Sequence, residues 1–192
     1  VGSAYTLMVF LISVLLGLAM GSGTVFSLHY GAGNHVALRR SIFSSFVLIG
    51  IVTLILNVAV FIWLDPILRL LKVPQDIYGV KGSYLWIIFC GIVFTFIYNF
   101  YASLLRAVGD SVTPLWFLAV SVVLNIALDL FFILQLDRGI QGAAAATVLA
   151  QGVAALGIII YTYRRRPELR WHHEDMCFDR TCLKEIASFS TL

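Results

Sequence analysis

Five long stretches of this chain carry almost no charge, and that pattern constrains the fold more than any other feature. They run over Ala4–Leu28, Ile42–Leu64, Gly82–Leu105, Val112–Leu136 and Gly139–Tyr163, and Asp129 is the one Asp, Glu, Lys or Arg inside any of them. Each is long enough to cross a hydrocarbon core of roughly 30 Å at a rise of about 1.5 Å per residue. Backbone groups in lipid must bond within their own segment, so each stretch is expected to be a helix. Composition agrees: 60% of the 192 residues are apolar and 12% are charged, against roughly a quarter charged in soluble domains. A water-soluble fold of this size has no polar exterior to draw on. The expected fold class is therefore all-α, a polytopic bundle of transmembrane helices over residues 1–166 in a lipid bilayer, followed by a polar stretch, 167–192, read as a cytoplasmic linker.

The connections set an orientation. Arg39 and Arg40 are read as lying in the link between spans one and two, Arg106 after span three, and Arg164, Arg165 and Arg166 after span five. If the helices alternate, these cations share one side. The opposite links mix signs: Asp65, Arg69, Lys72, Asp76 and Lys81, then Asp137 and Arg138. The positive-inside rule places the arginine side in the cytoplasm and the N-terminal end outside, as expected of a multi-pass plasma-membrane protein. Trp63, Trp86 and Trp116 sit near span ends, where aromatic anchors gather. The chain begins without Met in an apolar run and holds an odd number of spans, so it is expected to be part of a longer protein.

Asp129 is the residue that chemistry singles out, because a carboxylate in the bilayer is costly and marks function by default. Asn125, four residues earlier, shares its helix face. Spans four and five follow a tight link and form an antiparallel hairpin. Counted from Leu136 and Gly139, Asp129 and Thr147 lie about 10 and 12 Å deep, and Asn125 and Gln151 roughly 16–18 Å. A carboxylate, two amides and a hydroxyl can thus converge between neighbouring helices. Such hard oxygen ligands suit Na⁺ or a proton rather than a soft metal. The competing reading is a neutral, hydrogen-bonded Asp129 that holds the hairpin together.

Other features are read more plainly. Gly17-x-x-x-Gly21 is a small-residue packing motif. Asn57 and Asn99 are expected to bond between helices. Tyr98 and Tyr101 are expected either to line a cavity or to pack. The three cysteines, Cys90, Cys177 and Cys182, are an odd set without a disulfide framework. His172, His173 and Glu174 beside them match no strong zinc spacing, so no metal site is expected. No Gly-rich loop with a Lys is present, so no nucleotide site is expected.

The runs Gly17-Leu18-Ala19-Met20-Gly21-Ser22-Gly23, His29-Tyr30-Gly31-Ala32-Gly33 and Leu38-Arg39-Arg40 resemble the second helix of multidrug and toxic compound extrusion (MATE) transporters. Tyr98-Asn99-Phe100-Tyr101 through Leu105-Arg106-Ala107-Val108-Gly109-Asp110-Ser111, with Thr113-Pro114, resembles their fourth helix and the loop after it. Val123 through Asp129 resembles the fifth, and Gly139 through Thr147 the start of the sixth. The resemblance implies helices two to six of a twelve-helix exporter of cationic amphipathic drugs, driven by Na⁺ or H⁺ with no other cofactor: a transporter, neither an enzyme nor a nucleic-acid binder. It implies a cation site of Asn125, Asp129 and Thr147, completed by an Asp on a first helix outside this chain, and a C-terminal lobe outside it too. Gln151, Asn99 and Tyr98 are expected in the cavity or as support. Rivals are a lipid or polysaccharide flippase of the same superfamily, a structural membrane subunit, or a membrane enzyme using His172, His173 and Glu174. Span interiors without Lys or Arg favour cationic substrates over a flippase's anionic head groups.

Overall fold

The computed structural model describes residues 2–70, 81–134 and 139–169, all of them in helices, tight corners or a 3₁₀ turn. The helices are α1 (Gly2–Gly31), α2 (His35–Leu70), α3 (Lys81–Ala107), α4 (Val112–Leu134) and α5 (Gly139–Arg165), with the 3₁₀ turn at Pro167–Leu169. All five are long and apolar enough to cross a membrane. The metal-spacing residues His172, His173, Glu174, Cys177 and Cys182, and the linker from 170 onward, lie outside the described residues, as do Lys72, Asp76, Asp137 and Arg138.

Helix ends differ from the charge-free runs. The link between α1 and α2 is only Ala32–Asn34, so Arg39 and Arg40 lie inside α2 rather than in a loop. At its other end α2 continues through Asp65 and Pro66 to Leu70. The cause is that a charge ends the hydrocarbon stretch but not the helix, since arginine is a good helix former. What ends the helices is backbone chemistry at two corners of one design. Gly33 (φ 67°) and Gly109 (φ 89°) adopt the left-handed conformation that favours glycine. At the first corner the Gly33 N–H donates to Tyr30 O and the Asn34 N–H to His29 O. At the second the Gly109 N–H donates to Arg106 O and the Asp110 N–H to Leu105 O. Each is a Schellman stop. The next residue starts the following helix: Asn34 Oδ1 accepts the Ala37 N–H at 3.1 Å and Asp110 Oδ1 the Thr113 N–H at 3.1 Å.

The core lies among α1, α2, α3 and α5 near these corners. Phe100 is fully buried and meets Phe26, Phe46 and Tyr101 edge-on at centroid distances of 5.9, 5.2 and 5.6 Å. Ser103 of α3 donates to Ala19 O of α1 at 2.6 Å and lies against Gly23, so the two backbones approach closely. Helix α5 is the central element on the other side. Its small residues Ala146, Ala150, Ala154 and Ala155 are buried, the Phe94 ring of α3 lies over Gly152, and its Val148 lies over Gly91 of α3. Helix α4 packs mainly on α5 and only lightly on α3.

Candidate functional site

A cavity of about 610 Å³ opens between α3, α4 and α5, with Leu16 of α1 on its wall. Its polar lining includes Thr95, Tyr98 and Asn99 of α3, Ser121 and Asn125 of α4, and Thr147 and Gln151 of α5. Hydrogen bonds organise this lining. Asn125 Nδ2 donates to Thr147 Oγ1 at 3.2 Å across the α4–α5 seam. Thr95 Oγ1 lies 3.1 Å from Gln151 Oε1 across the α3–α5 seam and 2.8 Å from its own Gly91 carbonyl. Asn99 Nδ2 donates to Thr95 O at 2.8 Å, and Tyr98 OH donates to Pro114 O at 2.8 Å.

Two expectations are corrected here. Asn99 and Asn57 were expected to bond between helices; their amides donate to carbonyls one turn back in their own helices, Thr95 and Thr53. The depth matching is also one turn out. It paired Asp129 with Thr147 and Asn125 with Gln151, whereas Asn125 meets Thr147 and Gln151 meets Thr95. The Asn125–Thr147 bond places these two residues at one level of the hairpin.

Asp129 lies beyond this pair. The α4 lining of the cavity ends at Asn125 and the α5 lining begins at Thr147. The Asn125–Thr147 bond therefore marks one end of the cavity lining, and Asp129 sits one turn past it. Its Oδ1 is buried and has no hydrogen-bond partner among the described residues. A buried, unpaired carboxylate oxygen is costly and calls for a proton or a cation. Among the described residues no cluster of His, Cys, Asp and Glu could hold a metal.

At its other end the cavity is lined by Arg106 and Ser111. The span interiors hold no Lys or Arg, as read from the sequence, but Arg106, in the last turn of α3 just past the third span, reaches the lining. Sequence reasoning also missed Thr95, which had no charge or spacing to mark it. Asp110 was read only as part of the run that resembles the MATE fourth helix and its loop. The Asp110-x-x-Thr113 spacing of a capping motif was the available signal.

The family model described as MatE matches residues 1–131. The chain belongs to this family, the MATE multidrug efflux transporters. It is similar to the probable multidrug resistance protein YpnP of Bacillus subtilis, with 37% identity over 161 residues that cover 84% of this chain and 36% of YpnP. It is 32% identical over 171 residues to the multidrug export protein MepA of Staphylococcus saprophyticus, covering 85% of this chain and 37% of MepA. The chain thus spans little more than a third of the relatives it matches. A MATE crystal structure in the bent conformation superposes with a TM-score of 0.87 at 22% identity, covering 99% of this chain and 43% of that one. An outward-facing MATE transporter of the MOP superfamily gives 0.85 at 23%, covering 100% and 44%. These structural likenesses establish the fold. With its apolar helices and MATE relatives, the chain is a multi-pass membrane protein.

Proposed function

We propose that this chain is the N-terminal-lobe portion of a cation-coupled multidrug efflux antiporter, in which Na⁺ or H⁺ binds at Asp129 and drives export of small cationic amphipathic compounds. The observation that carries the reading is the buried, unpartnered Oδ1 of Asp129, one helical turn from the Asn125–Thr147 bond. A carboxylate held at that depth is stabilised by a cation or proton. The neighbouring amide and hydroxyl offer further hard oxygen donors. Binding there pulls on Asn125 and Thr147, which mark one end of the cavity lining, so cation occupancy and cavity shape are linked. This is alternating access in a transporter rather than an enzyme, with the gradient as energy source and no further cofactor. The remaining ligand is the expected Asp of a first helix, and the substrate path is completed by a second lobe.

The orientation belongs to the same proposal. Arg39, Arg40, Arg106, Arg164 and Arg165 occupy helix ends on the face that carries both corners. The positive-inside rule puts that face in the cytoplasm.

The test is dye efflux from cells expressing the complete protein, with wild type compared with Asp129→Asn at matched membrane expression. Efflux is expected to collapse. Unchanged efflux would make Asp129 structural and sink the cation-site reading. A second reading, a flippase for lipids or saccharides with anionic head groups, draws support from Arg106 in the cavity lining. In that case Arg106→Gln abolishes transport of the anionic lipid, while dye efflux is absent from the wild type.

A further inference from the structure

Helix α4 is held differently from the rest of the bundle. Between Leu115 and Phe132 none of its residues is buried, whereas each other span buries about a third or more of its most apolar window. It packs along α5 through half-buried residues, and a few specific polar contacts fix its level there. Two tyrosines from two other helices grip its first turn. Tyr98 of α3 donates to the Pro114 carbonyl at 2.8 Å. Tyr161 of α5 donates to Asp110 Oδ2 at 3.3 Å. That same oxygen accepts the Thr113 hydroxyl at 2.9 Å while Oδ1 caps the helix. Just past the cap, the Phe117 ring meets Tyr161 edge-on at 6.2 Å and lies over Gly157. Farther along α4, the Asn125–Thr147 bond is the polar tie to α5.

We propose that Asp110 and Tyr161 act as a positioning clasp: they fix the first turn of α4 on α5 and so set the level at which Asn125 meets Thr147. A helix transmits register along its length. The fifteen residues from Asp110 to Asn125 span roughly 22 Å, and a slip of a single residue moves Asn125 by about 1.5 Å and turns it by about 100°. Either change takes a 3.2 Å hydrogen bond out of range. The Schellman turn at Gly109 ties Asp110 to the end of α3, so the corner has no slack to absorb such a slip. The first corner makes the contrast. Asn34 caps α2 in the same way from an exposed position, and a cap alone needs only one acceptor. At the second corner a carboxylate is required, because its second oxygen accepts two hydroxyls at once and an amide nitrogen accepts none.

The inference rests on the reading of Asn125 and Thr147 as part of the cation site, and the experiment separates the two. The complete protein is reconstituted in lipid vesicles, and transport is measured against the concentration of the driving cation. Tyr161→Phe removes one hydroxyl. Asp110→Ser keeps a cap acceptor but is too short to reach Tyr161. Each is expected to raise the half-saturating cation concentration roughly fivefold, the weight of one hydrogen bond, with the maximal rate unchanged. In a Thr147→Ala background Tyr161→Phe is expected to add nothing. No shift in either single variant, or a full multiplicative effect on top of Thr147→Ala, overturns the clasp. If the wild type shows no cation dependence, the cation reading falls by itself. The clasp is then judged by spin labels at the exposed Val123 and Leu149. Tyr161→Phe broadens their distance distribution if the clasp holds α4, and leaves it narrow if it does not.

Discussion

The α1–α3 block and helix α4 are built by opposite means from similar material. Both are strongly apolar and both cross the membrane, yet Phe26, Leu38, Ile42 and Phe100 are fully buried in the first, while α4 from Leu115 to Phe132 holds only half-buried and exposed residues. In lipid, apolar surface alone gives no drive to associate, because the solvent is as apolar as leucine. The block is held by close interlocking: rings edge-on around Phe100 and backbones brought together at Gly23 and Ser103. Helix α4 lies along α5 through half-buried side chains, with polar ties at two levels and one ring over a glycine. A dense block resists motion, since packed atoms have few alternative arrangements. A helix packed on one neighbour alone can shift along it when one of its polar ties changes. The proposed cation residues Asn125 and Asp129 sit on that helix, and Thr147 faces them from α5.

The largest effect should come from breaking the block. Phe100→Ala empties a fully buried ring site among four aromatic neighbours. Loss of such a ring costs about 3–5 kcal/mol in soluble cores, and the lower end applies where lipid supplies part of the transfer term. Thermal unfolding in detergent should show this as a drop of the whole transition. A drop no larger than that of Phe117→Ala on α4 would break the contrast between the regions.

A smaller effect should follow at the α4–α5 seam. A Cβ at Gly157 would lie 2.6 Å from Cε1 of Phe117, so a side chain there displaces the ring. Gly157→Leu is expected to cost about 1–3 kcal/mol as overpacking. It should also lengthen the Val123–Leu149 spin-label distance while labels within α1–α3 keep theirs. If both sets move together, the bundle is a single packing unit and α4 is not distinct.

Much of this was legible in the sequence because lipid makes the rules severe. Charge-free runs marked all five helices, and Asp129 stood out as the one charge within them. Helix ends were less legible, since Arg39 and Asp65 ended the apolar runs while the backbone carried on through both. Register was illegible to within a turn, because nothing in the two apolar runs fixes how far α4 and α5 slide along each other, and the Asn125–Thr147 bond that does so joins residues 22 apart. The clasp was beyond reach: Asp110 and Tyr161 lie 51 residues apart, and nothing local ties a tyrosine late in one span to a turn before another. The Thr95–Gln151 contact, across 56 residues, escaped for the same reason, though Gln151 itself was a candidate.

The smallest effect is electrostatic and distinguishes the two corners themselves. Burial pushes the Asp110 carboxyl up, but hydrogen bonds from the Thr113 N–H and hydroxyl and from Tyr161, with the Arg166 charge, outweigh it and hold the group below the usual carboxylate range. A folded-state pKa below the unfolded one contributes stability that is present above the unfolded value and lost as pH falls through the folded value. The gain from Asp110 should therefore be complete at neutral pH and fade only in strong acid. Asn34 does not titrate and should show no such dependence. The stability gap between wild type and Asp110→Ser, measured by thermal unfolding, is expected to shrink as pH falls from about 7 to about 3, while the gap for Asn34→Ser stays flat. A gap for Asp110→Ser that does not move with pH would mean that its carboxylate acts only as a neutral cap, and the two corners would then be equivalent.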